Sequence, residues 1–322
     1  MLKFILRRIL IMIPQLILLS ILVFLLAKMM PGDALTGRIA GNPNIDPETV
    51  AKLREELGLN DPWHVQYWHW IQNLSHGDWG ISYIHQVEVT KLLGNRLLNT
   101  VNLGIFILVL TYIIAIPLGI VAGRWTNSWA DKVIVAYNYL SYATPLFIFA
   151  LFMLFIFGYV LGWFPTGGSV DVRLEKGTLD YYIDKFYHLI LPAFSAALLS
   201  TTTTIQYLRS EIIDTKVRDF VKTARAKGTP ERKVYTRHIL RNSFLPIAAF
   251  LGYEITGVIS GSIFIESIFS YPGIGQLFVD SISQRDYPVV TALVMLTGFA
   301  TLIGTLLSDI ILSAVDPRIR ID

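Results

Sequence analysis

Long apolar runs separated by short polar segments dominate the chain. Around 20 apolar residues are enough to cross a bilayer core of roughly 30 Å, and six runs of about this length or longer are present. They cover residues 9–27, 100–122, 133–163, 188–208, 247–269 and 289–312. The pattern predicts an all-α polytopic membrane protein with six transmembrane helices.

The first and third runs need separate interpretation. Residues 9–27 lead straight into Lys28 without a small-residue cleavage site. An uncleaved anchor is therefore favoured over a cleavable signal peptide, whose apolar region is shorter. Residues 133–163 are too many for an untilted span. We expect their first turns at the membrane interface, with a kink at Pro145.

The distribution of charge predicts the orientation and the domain organisation. With the N-terminus in the cytoplasm, the cytoplasmic pieces hold 17 of the 27 Lys and Arg residues, in agreement with the positive-inside rule. Both termini are then cytoplasmic. The chain divides into an N-terminal anchor helix at residues 1–30, an extracytoplasmic segment at 31–98 and a five-helix core at 99–322. The core contains a cytoplasmic loop at residues 209–246.

The external segment combines a short helix with an aromatic stretch. "NIDPETVAKLREELGL" predicts a helix with Asp46 as its N-cap, Pro47 in its first turn and Gly58 as its C-cap. Four of the seven tryptophans lie in or beside "DPWHVQYWHWIQNLSHGDWG". Amphipathic rings favour the headgroup layer, so this amphipathic segment is expected to lie flat on the outer membrane face. The alternative is the aromatic core of a small external domain.

The cytoplasmic loop has a pattern that its charge alone does not require. Residues 220–247 hold seven Lys or Arg residues and one acid, Glu231. Anionic lipids attract such basic loops. In addition, Asp219 as N-cap and Gly228 as C-cap bound one predicted helix, and Thr229 as cap, followed by proline, starts a second. Two helices joined at a Gly-Thr-Pro break form a rigid elbow, here residues 219–246, that fits a cleft of another protein.

Composition narrows the function classes. Hydrophobic residues make up 53% of the 322 residues and charged residues 16%, which is well below the charged share of soluble domains. The chain has no cysteine, so disulfides and thiolate metal sites are excluded. A net charge of +3 gives no argument for a nucleic-acid partner. The sequence lacks the phosphate-binding G-x-x-x-x-G-K-[ST] motif and the H-E-x-x-H and G-x-S-x-G motifs, so neither ATP hydrolysis nor intramembrane hydrolysis is supported.

Three separated stretches resemble the peptide and nickel branch of bacterial ABC-importer permeases. "TARAKG" followed by "RHILRNSFLP" resembles the EAA-type loop motif, with Gly228 at the motif's glycine and Leu245 and Pro246 at its Leu-Pro. Lys222 stands where that motif has glutamate. "MLKFILRRIL" through "MPGD", residues 57–82, and "ESIFSYPGIGQLFVDSISQRDYPVV" match in the same order. The chain resembles a B-type permease subunit of an oligopeptide/dipeptide importer, which implies the type I ABC importer permease fold.

The resemblance also implies partners and coupling residues. It implies a homologous second permease, one or two ATPase subunits that bind ATP and magnesium, and an external substrate-binding lipoprotein. A peptide substrate, membrane lipid and a bacterial cytoplasmic membrane complete the expectation, with no nucleic acid and no cofactor bound by this chain. The residues expected to couple the ATPases to the spans are Thr223, Ala224, Ala226, Lys227, Gly228 and Pro230.

Candidate residues for the substrate path lie in and after the fifth predicted span. Glu254 is a carboxylate inside the membrane, which is costly and by default suggests function. It either lines the path or makes a buried structural contact. The path candidates are Glu254, Thr256 and Ser260. The candidates for contact with the binding protein are Pro272, Gly273 and Gly275. Arg285 and Asp286 are expected to form a local salt bridge.

Two other transport functions stay open at this stage. The external histidines His64, His69, His76 and His85 raise the alternative of a nickel or nickel-chelate importer, because imidazole suits nickel. Their irregular spacing favours exposed or interfacial side chains instead. A self-contained channel or secondary transporter is the second alternative, but such a protein has no need of the elbow.

Overall fold

The computed structural model describes residues 2–29, 47–56, 58–244, 246–247, 254, 257–258 and 262–315. Within these ranges the ordered structure is helical, and the β pairing is confined to one isolated bridge between Ile81 and Glu88. The all-α prediction is confirmed. Asp46, the predicted N-cap of the first external helix, lies outside the described residues.

The helices follow one another along the chain with short connections. They are α1 (Leu2–Met29), α2 (Pro47–Glu56), α3 (Trp63–Ser75), α4 (Val89–Arg124), α5 (Trp129–Ala143), α6 (Leu146–Met153, continued by the π-helical Leu154–Val160), α7 (Leu179–Lys216), α8 (Asp219–Ala226), α9 (Glu231–Lys233, continued by the π-helical Val234–Leu240 and by Arg241–Ser243), α10 (Ile263–Ile268), α11 (Ile274–Ser283) and α12 (Tyr287–Val315).

Among the described residues, α1, α4, α7 and α12 are each long and apolar enough to cross a membrane. The pair α5 and α6 adds a fifth span if the two helices are counted together. Residues 247–269, the fifth predicted span, are described only in part. The prediction of six spans is therefore compatible with the structure and stays a prediction.

The third predicted span is broken rather than kinked. The axes of α5 and α6 differ by 102° across the break. Thr144 is extended there, and Pro145 precedes the first residue of α6. Because proline has no backbone N–H and disfavours a helical residue before it, the α5 ladder cannot continue through this point. The run is therefore a broken span or a re-entrant segment.

Two helix boundaries also differ from the apolar runs. The helix α4 begins at Val89, inside the stretch predicted as external. Its first turns are stabilised by packing, since Val89 and Leu93 are buried against α11 and the start of α12. The fifth predicted span does not stay helical to Phe269, because Ser262 has an extended backbone before α10 begins.

The pairing of α4 with α7 organises the core. At one end of this pair a buried cluster joins Leu103 of α4 and Leu191 of α7 to α6 and α10. At the other end a second cluster joins both helices to the elbow. The helix α1 packs beside α12, where Arg8 Nε lies 3.1 Å from Asp309 Oδ2. The two clusters place the elbow and the segment after Ser262 at opposite ends of the same helix pair.

Candidate functional site

The elbow consists of two helices whose starts are each shifted by one residue from the prediction. Asp219 is the first residue of α8, and Arg218 precedes it as the extended cap residue. The second helix begins at Glu231, because Pro230 has an extended ψ of 137°. Pro230 therefore occupies the cap position, and Thr229 lies one residue before it. Asp219 and Thr229 are therefore not the N-caps that the sequence predicted.

Gly228 ends α8 in the left-handed conformation, as predicted. Its φ is +75°, and no atom lies within 4 Å of the position that a Cβ would occupy. The N–H of Gly228 donates to the Arg225 carbonyl at 2.9 Å, and the N–H of Thr229 donates to the Ala224 carbonyl at 3.2 Å. This pattern closes the last turn of a helix. The constraint on residue 228 is conformational rather than steric.

An apolar cluster fixes the elbow to one end of the core. Val221 and Ala224 of α8 are buried with Val234, Tyr235 and Ile239 of α9. They pack on two fully buried residues of α7, Leu208 and Ile212. Burying an aliphatic side chain of this size contributes roughly 1.5–3 kcal/mol. The two elbow helices are therefore held to α7 as one unit.

Charged side chains make further contacts between the elbow, α4 and α7 around this cluster. The Arg225 guanidinium donates to both carboxylate oxygens of Glu231, at 3.1 and 2.8 Å, across the turn between α8 and α9. This pairing lowers the pKa of Glu231. Lys216 Nζ donates to two carbonyl oxygens at the end of α4, at 2.5 and 2.7 Å. The Arg124 guanidinium lies 4.7 Å from the ring centroid of Tyr235.

The structure separates the six predicted coupling residues into two groups. Ala224 is buried under α8 and supports the elbow from within. The other five are exposed to solvent: Thr223, Ala226, Lys227, Gly228 and Pro230. Exposed basic residues surround them, namely Lys222, Arg232, Lys233 and Arg237. The elbow therefore presents a basic, protruding surface on an apolar base.

At the opposite end of the core, the fully buried Glu266 carboxylate connects separate parts of the chain. Its Oε1 accepts a hydrogen bond from Thr100 Oγ1 at 2.7 Å. Its Oε2 accepts from the backbone N–H groups of Gly275 at 2.7 Å and Gln276 at 3.1 Å. Thr100 Oγ1 also accepts from the Ile274 N–H at 2.8 Å. We call this network of Thr100, Glu266 and the start of α11 the outer clamp.

The three predicted contacts for a binding protein lie at the outer clamp. Gly273 and Gly275 are buried there, and Pro272 is half-buried. A Cβ on Gly273 would lie 2.3 Å from the Glu266 carboxyl group, so only glycine leaves room for that side chain. Gly273 is the cap residue of the ten-residue helix α11, and Gly275 is the second residue of that helix.

The predicted local salt bridge at Arg285 and Asp286 is wrong. Asp286 is fully buried and accepts hydrogen bonds from Ser82 Oγ at 2.5 Å and from the N–H of Tyr83 at 3.0 Å. Arg285 takes a positive φ of 60° beside it. The donors, a hydroxyl and a backbone N–H, both belong to the external segment. The Asp286 carboxylate therefore holds this segment at the start of α12.

The candidates inside the fifth predicted span are described only at Glu254. This residue is helical and half-buried. Its carboxyl group lies near the Tyr112 hydroxyl. That hydroxyl makes no hydrogen bond of good geometry with any of the described residues. Thr256 and Ser260 lie outside the described residues.

The external histidines do not form a metal-binding group. No cluster of three or more His, Asp or Glu side chains suited to a metal occurs in the part of the chain that the structure describes. His64, His69 and His76 are exposed along or just after α3. The side of α3 that faces α1 carries Tyr67 and Trp70, whose rings pack on Phe24.

One strong ion pair was not anticipated from the sequence. Asp131, at the start of α5, is 2% exposed and accepts from Arg209 Nε at 2.7 Å and Arg209 Nη2 at 2.9 Å. It also accepts from the Asn127 N–H at 2.8 Å. The sequence offers only a weak signal for this pair: Asp131 is the one acid between the second and third apolar runs, and Arg209 directly follows the fourth.

Comparison with known families gives the class of the protein. The family model for inner membrane components of binding-protein-dependent transport systems matches residues 115–321. The model for the N-terminal part of such components matches residues 1–104. The chain belongs to this family and is an ABC-importer permease. In this family the permease is not itself an enzyme, and separate subunits hydrolyse ATP.

Full-length relatives support the same class. The oligopeptide transport system permease protein AppB of Bacillus subtilis (strain 168) is 38% identical over 321 residues, which cover 99% of this chain and 100% of the relative. The glutathione transport system permease protein GsiC is 32% identical in Escherichia coli (strain K12) and 33% identical in Salmonella typhimurium (strain LT2), over 320 residues and 99% of both chains in each case. These alignments place the chain in the peptide/dipeptide branch of the family.

Proposed function

We propose that this chain is the membrane-spanning permease subunit of an ATP-driven importer of oligopeptides or dipeptides. It forms half of the translocation path with a homologous second permease and docks an ATPase subunit through residues 220–246. The substrate class is supported by relatives named for oligopeptides and for glutathione, which is itself a short peptide. We do not propose nickel or a nickel chelate, because no specific observation favours it.

The observation that carries the ATPase-docking proposal is the mounting of the elbow. Its tip, around Gly228, is exposed, whereas its base is buried against Leu208 and Ile212 of α7. Closely packed interiors transmit displacement rather than absorbing it. Movement of the tip by an ATPase would therefore displace the inner end of α7, and α7 continues through the core. An acidic rim on the partner would complement the exposed basic residues.

The substrate side of the proposal rests on the fifth predicted span and on the segment that follows it. Glu254, Thr256 and Ser260 are proposed to line the path, with Glu254 able to meet the ammonium or backbone amides of a peptide. Pro272 is the most exposed of the three residues proposed for binding-protein contact. Gly273 and Gly275 would act from beneath it, since they shape the outer clamp. An external substrate-binding protein would load this face, while the chain resides in the bacterial cytoplasmic membrane.

The Gly228→Val substitution tests the docking proposal. Valine at a φ of +75° is strained, so the turn should open and tilt α8 away from its partner. We expect stimulation of ATP hydrolysis by peptide-loaded binding protein to fall at least tenfold in the reconstituted importer, on the order of 1.4 kcal/mol of coupling. Gly228→Asn is the matched control, because asparagine tolerates the left-handed conformation. It should retain most of the stimulation.

Lys222→Ala provides a second comparison. It removes an exposed charge and the Lys222–Asp219 ion pair but leaves the turn intact, so it should cost much less than Gly228→Val. If Gly228→Val is stimulated like the wild type and imports peptide at the normal rate, the elbow is not the coupling element. A loss that is equal for Gly228→Val and Gly228→Asn would also contradict the conformational argument.

A further inference from the structure

A cavity of about 1010 Å³ opens on the external side of the molecule, away from the elbow and the outer clamp. It lies between the end of α1, the helix α3, the segment at residues 76–83, and the starts of α4 and α12. Its size exceeds that of most small-ligand sites. Neither the family comparison nor the proposed transport path accounts for it.

The walls of the cavity change character with depth. Phe24 and Ala27 belong to the apolar run of α1, and Thr291 belongs to that of α12. Lys28, at the end of the first apolar run, donates to Gln66 Oε1 and lies over the Phe24 ring, 5.7 Å from its centroid. Two acids, Asp78 and Glu88, also line the cavity, and Glu88 Oε1 lies 3.1 Å from Lys91 Nζ. The cavity therefore has an apolar floor at the level of the spans and a charged rim outside them.

The walls are held in place by contacts that do not need a ligand. The Tyr67 hydroxyl lies 2.8 Å from Ser20 Oγ of α1, and the Trp70 ring lies 6.0 Å from that of Phe24. Asp78 Oδ1 accepts from the Gly80 N–H at 2.9 Å, which fixes the turn after α3. The Asp286 carboxylate fastens the next turn to α12. The cavity is consequently a built feature of the fold.

We propose that this cavity binds one aminophospholipid of the outer leaflet, with the phosphate at Lys28, the headgroup ammonium at Asp78 and Glu88, and the first acyl methylenes over Phe24 and Ala27. A soluble zwitterion would match the rim but would leave the apolar floor exposed to water, which is unfavourable. A phospholipid satisfies both.

The charges of the rim set the expected selectivity. Two acids and one lysine favour a zwitterionic amine headgroup over an anionic glycerol headgroup. Exposed ion pairs are individually weak, so the two acids together should favour phosphatidylethanolamine over phosphatidylglycerol by about twofold to thirtyfold.

Native mass spectrometry of the purified importer complex tests this proposal. The complex is equilibrated in detergent with equal amounts of phosphatidylethanolamine and phosphatidylglycerol, and the lipid retained is counted. The double variant Asp78→Asn, Glu88→Gln should lose the preference for phosphatidylethanolamine. It keeps the fold, because the amide oxygen introduced by Asp78→Asn still accepts from the Gly80 N–H. Glu88→Gln removes only an exposed ion pair with Lys91, and such pairs contribute little to stability. Lys28→Gln should weaken retention of both lipids.

The matched control is the double variant Glu175→Gln, Asp180→Asn. It removes two exposed acids that lie outside the cavity, and it should bind lipid like the wild type. Equal retention of both lipids by the wild type would overturn the proposal, as would an unchanged preference in the cavity variant. Displacement of the lipid by soluble glycerophosphoethanolamine at the same concentration would show that the site takes a free headgroup, and this would also overturn the proposal.

Discussion

The carboxylate of Glu266 joins three parts of the chain that lie far apart in sequence. It holds α10, α4 and the start of α11 together through one hydroxyl and two backbone donors. A carboxylate is acceptor-only when ionised, so it satisfies all three donors without presenting a hydrogen of its own. Gly273 approaches the carboxyl group so closely that a Cβ at that position would overlap it.

Glu266→Gln should therefore destabilise the protein although it preserves shape. The amide NH₂ would face one of the N–H or hydroxyl donors, and a buried unsatisfied group costs about 1–3 kcal/mol. We expect a lower midpoint of thermal unfolding of the purified complex. Glu175→Gln, at an exposed site, is the control. Equal midpoints for the two variants would contradict the role assigned to the outer clamp.

At the residue scale, the sequence indicates which residues are unusual more reliably than it indicates which residues they contact. Glu254 was singled out because a carboxylate within an apolar run is visible in the sequence. Glu266 carries no comparable signal in the sequence, because its role depends on Thr100, which is distant along the chain. Gly228 was predicted correctly because a left-handed helix end is a local property. Asp286 was assigned the wrong partner because its donors belong to the external segment.

The link between α5 and α7 is carried by the pair of Asp131 and Arg209. The helix α5 is short and ends at the break before Pro145. The bidentate contact with Arg209 and the Asn127 N–H fixes its first turn. The Arg209 side chain is 27% exposed, so solvent screens part of the attraction.

Asp131→Asn should weaken this link by about 1–3 kcal/mol, because the neutral amide loses the charge-assisted contact and leaves Arg209 without its partner. Arg209→Lys should lose a similar amount, since lysine cannot make the bidentate contact. The measurement is chemical or thermal unfolding of the full complex. In a double-mutant cycle the two losses should not add. Additive losses would show that the pair is not the link.

At the element scale, the sequence predicted which segments are helical and predicted their ends less well. The long apolar runs predicted α1, α4, α7 and α12, because a helix that faces lipid and a helix that packs in the core are both rich in apolar residues. The polar first turns of α4 escaped this reasoning, since packing against α11 decides their structure. The break at Pro145 was underestimated because a proline signals a bend but does not set its angle.

The whole molecule places two anchored surfaces at opposite ends of the α4–α7 pair. The elbow is fixed at one end by the cluster around Leu208 and Ile212. The outer clamp is fixed at the other end at Thr100 of α4. A permease that couples ATP hydrolysis to transport needs both surfaces to face different compartments. The orientation of the chain in the membrane is therefore the property on which the proposed function depends.

Cysteine labelling tests that orientation. The chain has no cysteine, so Ser75→Cys and Thr229→Cys each introduce a single thiol. Ser75 is exposed at the end of α3, and Thr229 is half-exposed in the turn of the elbow. The excess of Lys and Arg in the loops assigned to the cytoplasm, 17 of 27, predicts that the elbow is inside.

In intact cells, an impermeant maleimide should label Ser75→Cys and leave Thr229→Cys unlabelled. After permeabilisation both variants should react, which is the control for accessibility of the half-exposed Thr229 site. Labelling of Thr229→Cys but not of Ser75→Cys in intact cells would reverse the topology. The elbow would then face away from ATP, and docking of an ATPase on it would be impossible however well the turn at Gly228 is preserved.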